Sequence, residues 1–392
     1  MVSFLLLILT EFLIYAVLRQ HYNQVSKTVY NISVLFNIIL SIWLWILYIS
    51  YEGFRSFYDS PRHISLQLAL IGALCAIFIP RVIIIILHFT GRLFRRRGHL
   101  RWLTNTGLGL GAFIFLAVMT GTLNGRYNFK YENITVPLKG LNDDLNGLTI
   151  VQISDLHLSG FYRQPEKLET VMKKINEFDP DIIVNTGDFV SYGWREFGRN
   201  DTILAITEAK YGKFAVTGNH DVGIYNPEYT EADKVNNELN IASLIRKSGY
   251  YLLSDESTFV NIGSSRIRIT GTTTHGRHPK IIHGNLDAAI PDSGFSDFNI
   301  LLTHDPNHWV YEISGKRSDI DLTLSGHTHG MQLGVNTKRF KWSPIKYFYP
   351  NWNGLYNDGF QYQYVNRGLG VLAMPFRIWM PPEITIITLV KE

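Results

Sequence analysis

Seven side chains that follow short apolar runs are of two chemical kinds. Asp155, His157, Asp188, Asn219, His304, His327 and His329 offer only oxygen and imidazole nitrogen. A set without thiolate suits borderline divalent cations such as Mn, Fe, Zn or Ni better than Ca or Mg alone. Seven donors are too many for one closed tetrahedral site. Two ions that share one carboxylate accommodate them, and each ion keeps an open position for water or substrate. Asp-x-His, Gly-Asp and His-x-His are each common by chance. Their completeness and their placement carry the argument.

That placement is at strand ends. Residues 148–154 (LTIVQIS) read as a buried strand ending on Asp155, and 181–186 as a second ending on Gly187-Asp188. Residues 213–217 end on Gly218-Asn219-His220-Asp221, 300–303 on His304, and 322–325 on Gly326-His327-Thr328-His329. Between the first two strands, Leu168, Val171, Met172 and Ile175 recur at helical spacing after Pro165. Alternating strands and helices imply an α/β sheet covered on both faces. Ligands in such sheets lie just beyond the carboxyl ends of the strands, so clusters distant in sequence can converge. Glycines at 187, 218 and 326 permit sharp turns and close approach.

The first third of the chain is different. Four apolar stretches approach spanning length, at about 2–18, 32–49, 64–87 and 103–123. The first has no basic start and no small-residue cleavage site, and reads as a retained helix. Glu11 and Arg81 are charges inside these stretches. Arg81 snorkelling to an interface is the simpler expectation, and a Glu11–Arg81 pair the alternative. The expected organisation is a membrane domain over 1–123, a linker over 124–146 and a soluble domain over 147–392.

Loop charge gives an orientation. Arg92, Arg95, Arg96, Arg97 and Arg101 stand between the third and fourth stretches without an acid. Positive loops stay in the cytoplasm. Arg55 and Arg62 are balanced by Glu52 and Asp59 between the second and third, as expected outside. The soluble domain is then extracytoplasmic. The 392 residues carry a formal charge of only +4, with no basic, aromatic-laced stripe, so nothing points to nucleic acid. Cys75 is the one cysteine, which excludes an intrachain disulfide and a multi-thiolate metal site.

The motifs Asp155-Leu156-His157, Gly187-Asp188, Gly218-Asn219-His220-Asp221, His304 and Gly326-His327-Thr328-His329 resemble, in order, the five motifs of the calcineurin-like metallophosphoesterase superfamily. The strings SDLHLSG, NTGDFV, TGNHD, LTHDP, SGHTHG, YVNRGLG and PPEITIITL resemble its membrane-associated bacterial branch, over about 147–392. The resemblance implies a four-layer sandwich of two mixed sheets flanked by helices, here preceded by the helical membrane domain. It implies that Asp155, His157 and His329 hold one divalent ion. Asn219, His304 and His327 hold the other, and Asp188 bridges both. His220 stands beside the site with Asp221 orienting it. The turn after Asp188 reads Phe-Val-Ser-Tyr-Gly, where many members carry a further Asp or Asn, and Met331 follows where Gly is common.

The expected activity is hydrolysis of a phosphomonoester or phosphodiester by a metal-bridging hydroxide, with His220 as general acid. A structural histidine holding the loop is the alternative for His220. Tethering to the bilayer favours a lipid-linked or envelope substrate. Two rivals are a lipid-precursor pyrophosphatase resembling UDP-diacylglucosamine hydrolase and a phosphate-binding receptor without turnover. Arg277, His278, Arg367 and Arg377 are possible phosphate clamps or solvated loop residues, and residues 347–364 are dense in aromatics.

Overall fold

The computed structural model describes residues 2–22, 26–53, 56–94, 101–273, 284–290, 294–337 and 339–392. Arg55, Arg95, Arg96, Arg97, Arg277 and His278 lie outside the described residues. The chain forms two compact units.

The helical unit comprises residues 1–56, 66–124 and 373–378. Its elements are α1 (Val2–Tyr22), α2 (Lys27–Gly53), α3 (Pro61–Ala73), α4 (Ile79–Leu93) and α5 (Arg101–Leu123). Four described helical stretches are long and apolar enough to cross a membrane, α3 and α4 counting as one. All are longer than the apolar stretches in the sequence, because helix continues into the polar flanks. A π-helical turn over Leu74–Phe78 joins α3 to α4. It lies directly before Pro80, which has no N–H to return to the preceding turn.

Arg81 does not snorkel. It is buried and donates to Glu11 Oε1 at 2.6 Å, Ser41 Oγ at 2.7 Å, Asn37 Oδ1 at 3.1 Å and the Asn37 carbonyl at 3.1 Å. Facing partners on α1 and α2 make pairing cheaper than reaching for an interface. Gln20 of α1 meets His88 and Arg92 of α4, so these two helices end at the same level.

The second unit comprises residues 57–65, 125–372 and 379–392. It therefore takes in the α2–α3 connection with the first residues of α3 and gives up Ala373–Ile378, so a boundary at 147 does not describe it. Nor is 124–146 a plain linker, because it contains β1 (Lys130–Leu138). Only Val136 and Leu138 of β1 are buried, which explains its weak apolar signature.

The first sheet has six strands in the order β1-β14-β2-β3-β4-β5. They are β1, β14 (Glu383–Lys391), β2 (Thr149–Ile153), β3 (Ile182–Asn185), β4 (Lys213–Ala215) and β5 (Tyr251–Leu252). β2 to β5 run parallel. The second sheet has the order β12-β13-β9-β8-β7-β6. Its strands are β6 (Glu256–Ile262), β7 (Ser265–Gly271), β8 (Phe298–Leu302), β9 (Leu322–Ser325), β12 (Gly354–Asp358) and β13 (Gln361–Val365), with β7, β8, β9 and β13 parallel. A short ribbon, β10 (Val335–Asn336) with β11 (Lys341–Trp342), lies outside both sheets.

One buried cluster, with Ile150, Ile182, Val184, Ile269, Ile300, Leu324 and Ile387, fills the space between the sheets. A second covers the outer face of the first sheet with α6 (Pro165–Asn176), α7 (Asn200–Leu204) and α8 (Glu231–Lys247). α6 contributes Leu168, Val171, Met172 and Ile175, the face expected from their spacing. A smaller cluster of Leu301, Trp309, Ile313 and Leu286, the last from α9 (Leu286–Ala289), covers the second sheet. The four layers expected from the resemblance are thus present.

Candidate metal centre

The carboxyl ends of β2, β3, β4, β8 and β9 meet where the two sheets abut. Gln152 Nε2 of β2 donates to the Ser325 carbonyl of β9 at 2.9 Å. The ring nitrogen Nδ1 of His304 lies 2.7 Å from the Thr186 carbonyl. These bonds pin one sheet to the other beside the site.

Two groups of side chains form there. In one, ligand atoms of Asp155, His157 and His329 all lie within 4.8 Å of one another. In the other, those of Asp188, His304 and His327 do. Asp188 also faces the first group, with Oδ2 3.7 Å from His157 Nε2 and 3.0 Å from His304 Nε2. Asn219 Oδ1 is buried with no hydrogen-bond partner, while its Nδ2 donates to Tyr225 Oη at 3.1 Å.

The backbone is shaped to bring these groups together. Asp155, His157, Asp188, His327 and His329 all have positive φ, between 39° and 72°. Left-handed conformation in five non-glycine residues is costly and marks a site that the surrounding fold over-determines. Gly218 and Gly326 are needed for close approach. A Cβ would come 2.1 Å from Asp188 Oδ1 at Gly218, and 1.9 Å from Ser154 Oγ at Gly326.

The residues fit a pair of divalent ions. Nε2 of His157 and Nε2 of His329 stand 3.1 Å apart. At that spacing one divalent ion about 2 Å from each nitrogen would be held by both. The Thr186 carbonyl on His304 Nδ1 fixes that ring's tautomer, and Ser191 Oγ, 3.1 Å from His157 Nδ1, orients the second ring, so that each Nε2 turns inward.

The electrostatics separate the two carboxylates. Burial alone would raise the Asp188 carboxyl, but His304, His220 and His157 outweigh it and hold it well below the usual range. For Asp155, burial prevails over His304, and with the Asp188 charge it raises the carboxyl to about 6. Burial would lower His304, yet the Asp188 and Asp155 charges raise it to about 10. Burial drops His157 to about 3.

His220 stands outside both groups. Its ring meets His157 edge-on at 5.3 Å and stacks on Tyr225 at 4.3 Å. The expectation that Asp221 orients it needs correction. His220 Nδ1 faces the Ser191 carbonyl at 2.7 Å, so the proton on Nδ1 is held there. Asp221 instead accepts the backbone N–H groups of Asp188, Val190 and Gly218. Three amides claim both its oxygens, so it braces the metal-side loops rather than the ring.

Ser191 was not singled out from sequence, and no local motif marks it. The absent Asp or Asn after Asp188 is made good from a distance. Glu196 Oε1 accepts the N–H groups of Ser191, Tyr192 and Gly193. Burial, against those three donors, lifts the Glu196 carboxyl to about 7.

Other candidates are placed elsewhere. Arg367 is buried and bound to Glu383 at 3.0 Å and Glu132 at 2.9 Å. Those two charges neutralise it as a phosphate clamp. Arg377 is buried and belongs to the helical unit, outside the compact unit that carries the two candidate ligand groups. Met331 is exposed with φ 53°. Among the aromatics, Tyr347 and Phe348 are exposed, Trp352 and Tyr364 are buried, and Tyr349 Oη lies 2.7 Å from His327 Nε2.

Comparison with known proteins agrees with this geometry. A family model described as calcineurin-like phosphoesterase matches residues 148–331. The chain is 34% identical to the uncharacterized metallophosphoesterase YkuE of Bacillus subtilis, over 62% of this chain and 79% of that one. It is 30% identical to the UDP-2,3-diacylglucosamine pyrophosphatase LpxG of Chlamydia trachomatis, over 63% of this chain and 85% of the relative. It is also 28% identical to a transmembrane protein with metallophosphoesterase domain from Danio rerio, over 71% of this chain but only 62% of that protein.

Proposed function

Because the chain belongs to the calcineurin-like phosphoesterase family, we propose that it is a membrane-anchored, two-metal phosphoester hydrolase acting on a lipid-linked or envelope substrate outside the cytoplasm. The observation that carries this is the pair of three-residue ligand groups within reach of one carboxylate, Asp188. Asp155, His157 and His329 would hold one ion, Asn219, His304 and His327 the other, with Asp188 between. Two divalent ions supply Lewis acidity toward the phosphoryl group and lower the pKa of an attacking water.

The chain's own residues do the rest. His220 keeps a proton on Nδ1 against the Ser191 carbonyl. Burial holds its pKa below the ordinary histidine value. The resting ring is therefore neutral, and it gains its second proton, on Nε2, when an anionic ester binds beside it. From Nε2 it donates to the leaving oxygen. Buried glycine-bounded loops keep the ligand carboxylates dry, which strengthens every charge interaction there.

The test uses the full-length chain in detergent. His220→Ala should keep its metal and lose kcat by about 10²–10⁴-fold on an alkyl phosphodiester. The loss should shrink for bis(p-nitrophenyl) phosphate, whose leaving group needs little protonation. Equal losses on both would remove the acid role from His220.

The similarity to the chlamydial pyrophosphatase favours a second substrate, a lipid-linked diphosphate. Sidedness bears on which substrates the enzyme meets. The Arg-rich connection from Arg92 to Arg101 supports a cytoplasmic position for that loop, and so an outer position for the domain beyond α5. Protease added to intact spheroplasts should cut the catalytic domain while a tag near Arg101 stays protected. Protection of the domain until lysis would overturn the outward reading and favour a cytoplasmic precursor.

A further inference from the structure

Asp59 lies in the segment that joins α2 to α3, yet that segment packs within the same compact unit as the metal ligands. Its carboxylate is fully buried. Both oxygens lie 3.1 Å from Arg195 Nη1, and Tyr229 Oη donates to Oδ2 at 2.7 Å. The neighbours of Asp59 reinforce the grip. The Arg195 guanidinium lies 4.0 Å over the Phe57 ring, the Tyr58 ring meets Tyr192 edge-on at 4.9 Å, and the Tyr58 N–H donates to Glu228 at 3.0 Å.

Tyr192 and Arg195 belong to the turn from Ser191 to Phe197, and Tyr229 packs against it at Gly193. That turn supplies contacts to two of the site's imidazoles: Ser191 Oγ on His157 Nδ1 and the Ser191 carbonyl on His220 Nδ1. The approach leaves no slack. A Cβ at Gly193 would come 2.3 Å from Tyr229 Oη and 2.6 Å from Asp59 Oδ2. From the other side Asn237 ties Trp194 N to the Asp221 carbonyl, at 2.8 and 2.7 Å. The turn is thus held between α8 and the α2–α3 connection.

We propose that Asp59 is a positioning residue for the hydrolytic site: through Arg195, Tyr229 and the Ser191–Phe197 turn, the segment between two membrane-crossing helices sets the orientation of His157 and His220. The inference rests on the hydrolase reading of the centre. A merely structural role would lower stability and leave kinetics and metal affinity alone. A positioning role moves both, in a defined pattern. A buried carboxylate also leaves Arg195 and Tyr229 without their acceptor when it is removed.

The full-length chain in detergent is compared with its Asp59→Ala and Asp59→Asn variants. Two things are read: kcat and KM on the alkyl and nitrophenyl diesters, and resistance of bound Mn to a competing chelator. Asp59→Ala should lower kcat on the alkyl ester about tenfold or more, with KM changed less than about threefold. Its Mn affinity should fall about tenfold, at the lower end of what indirect supports of metal ligands contribute. Asp59→Asn keeps an acceptor for Tyr229 and should recover most of both.

Adding Asp59→Ala to Ser191→Ala should weaken Mn binding no further than Ser191→Ala alone, because the two act along one path. Full additivity, or an Asp59→Ala protein with wild-type kcat and wild-type chelator resistance, overturns the proposal. If Asp59→Ala does not fold, Gly193→Ala displaces the turn without deleting a charge, and it must show the same split. If the wild type gives no turnover dependent on Asp188, the hydrolase reading falls, and the chelator arm alone then decides whether Asp59 positions the centre.

Discussion

Asp155 and Asp188 both follow parallel strands, both have positive φ and both are fully buried. Their environments nevertheless pull them apart. Asp188 has His304 Nε2 at 3.0 Å, His157 and His220 nearby, and the His220 N–H on Oδ1 at 2.9 Å. Asp155 accepts the His327 N–H at 3.0 and 3.1 Å, and its nearest imidazole, His329, is 3.3 Å away. One carboxyl is held well below its usual range and the other is raised to about 6. The lesson is that burial does not set the charge state; the count and closeness of facing imidazoles do. The more compensated carboxylate is also the one within reach of both ligand groups, which is what a shared ligand requires.

The sharpest way to break this comparison is to neutralise each carboxylate in turn. With Asp188 as the proposed shared carboxylate, Asp188→Asn should lose both ions and reduce turnover by at least about 10³-fold. Asp155→Asn should retain close to one ion per chain. Metal analysis of the purified full-length proteins checks both. Equal losses would mean that the two carboxylates play equivalent parts.

A smaller effect sharpens it through stability. With metal stripped by chelator, Asp155 has a folded pKa of about 6, above its unfolded value. It contributes stability below about pH 3.8 that is lost as pH rises through about 6. Asp188 has a depressed folded pKa, so it contributes stability above about pH 3.8 that is lost as pH falls. At pH 7 Asp155→Asn should therefore raise the melting temperature and Asp188→Asn should lower it, each by a few degrees. The two variants should converge only as pH falls well below about 3.8, toward the depressed Asp188 pKa. Shifts of the same sign at pH 7 would show that the imidazoles do not distinguish the carboxylates.

Much of this was legible in the sequence, for a definite reason. Candidate ligands such as Asp155 and Asn219 sit where an apolar run stops, and the run itself is visible. His220 beside Asp221 was misleading, because adjacency suggested a pair while the backbone amides of Asp188, Val190 and Gly218 had the stronger claim on the carboxylate. Asp59 gave no signal at all. It read as one of four balancing loop charges, and its partner Arg195 is 136 residues away. Glu11 and Arg81 are 70 residues apart, so their pairing likewise depends on how helices pack. β1 escaped because its alternation is short, Ile134, Val136 and Leu138, and Pro137 falls within it.

The position of β14 has a consequence for how the protein is made. It lies between β1 and β2, parallel to one and antiparallel to the other. Ile387 and Leu389 on one face enter the core between the sheets, while Ile384 and Ile386 on the other enter the helix-covered core. Until residues 383–391 have emerged from the ribosome, β1 has no partner in the sheet, β2 exposes an open edge and both cores lack a wall. The membrane helices can insert early in synthesis. The hydrolase unit can close only more than 200 residues after β2 is made, so its nascent chain depends on late, long-range pairing.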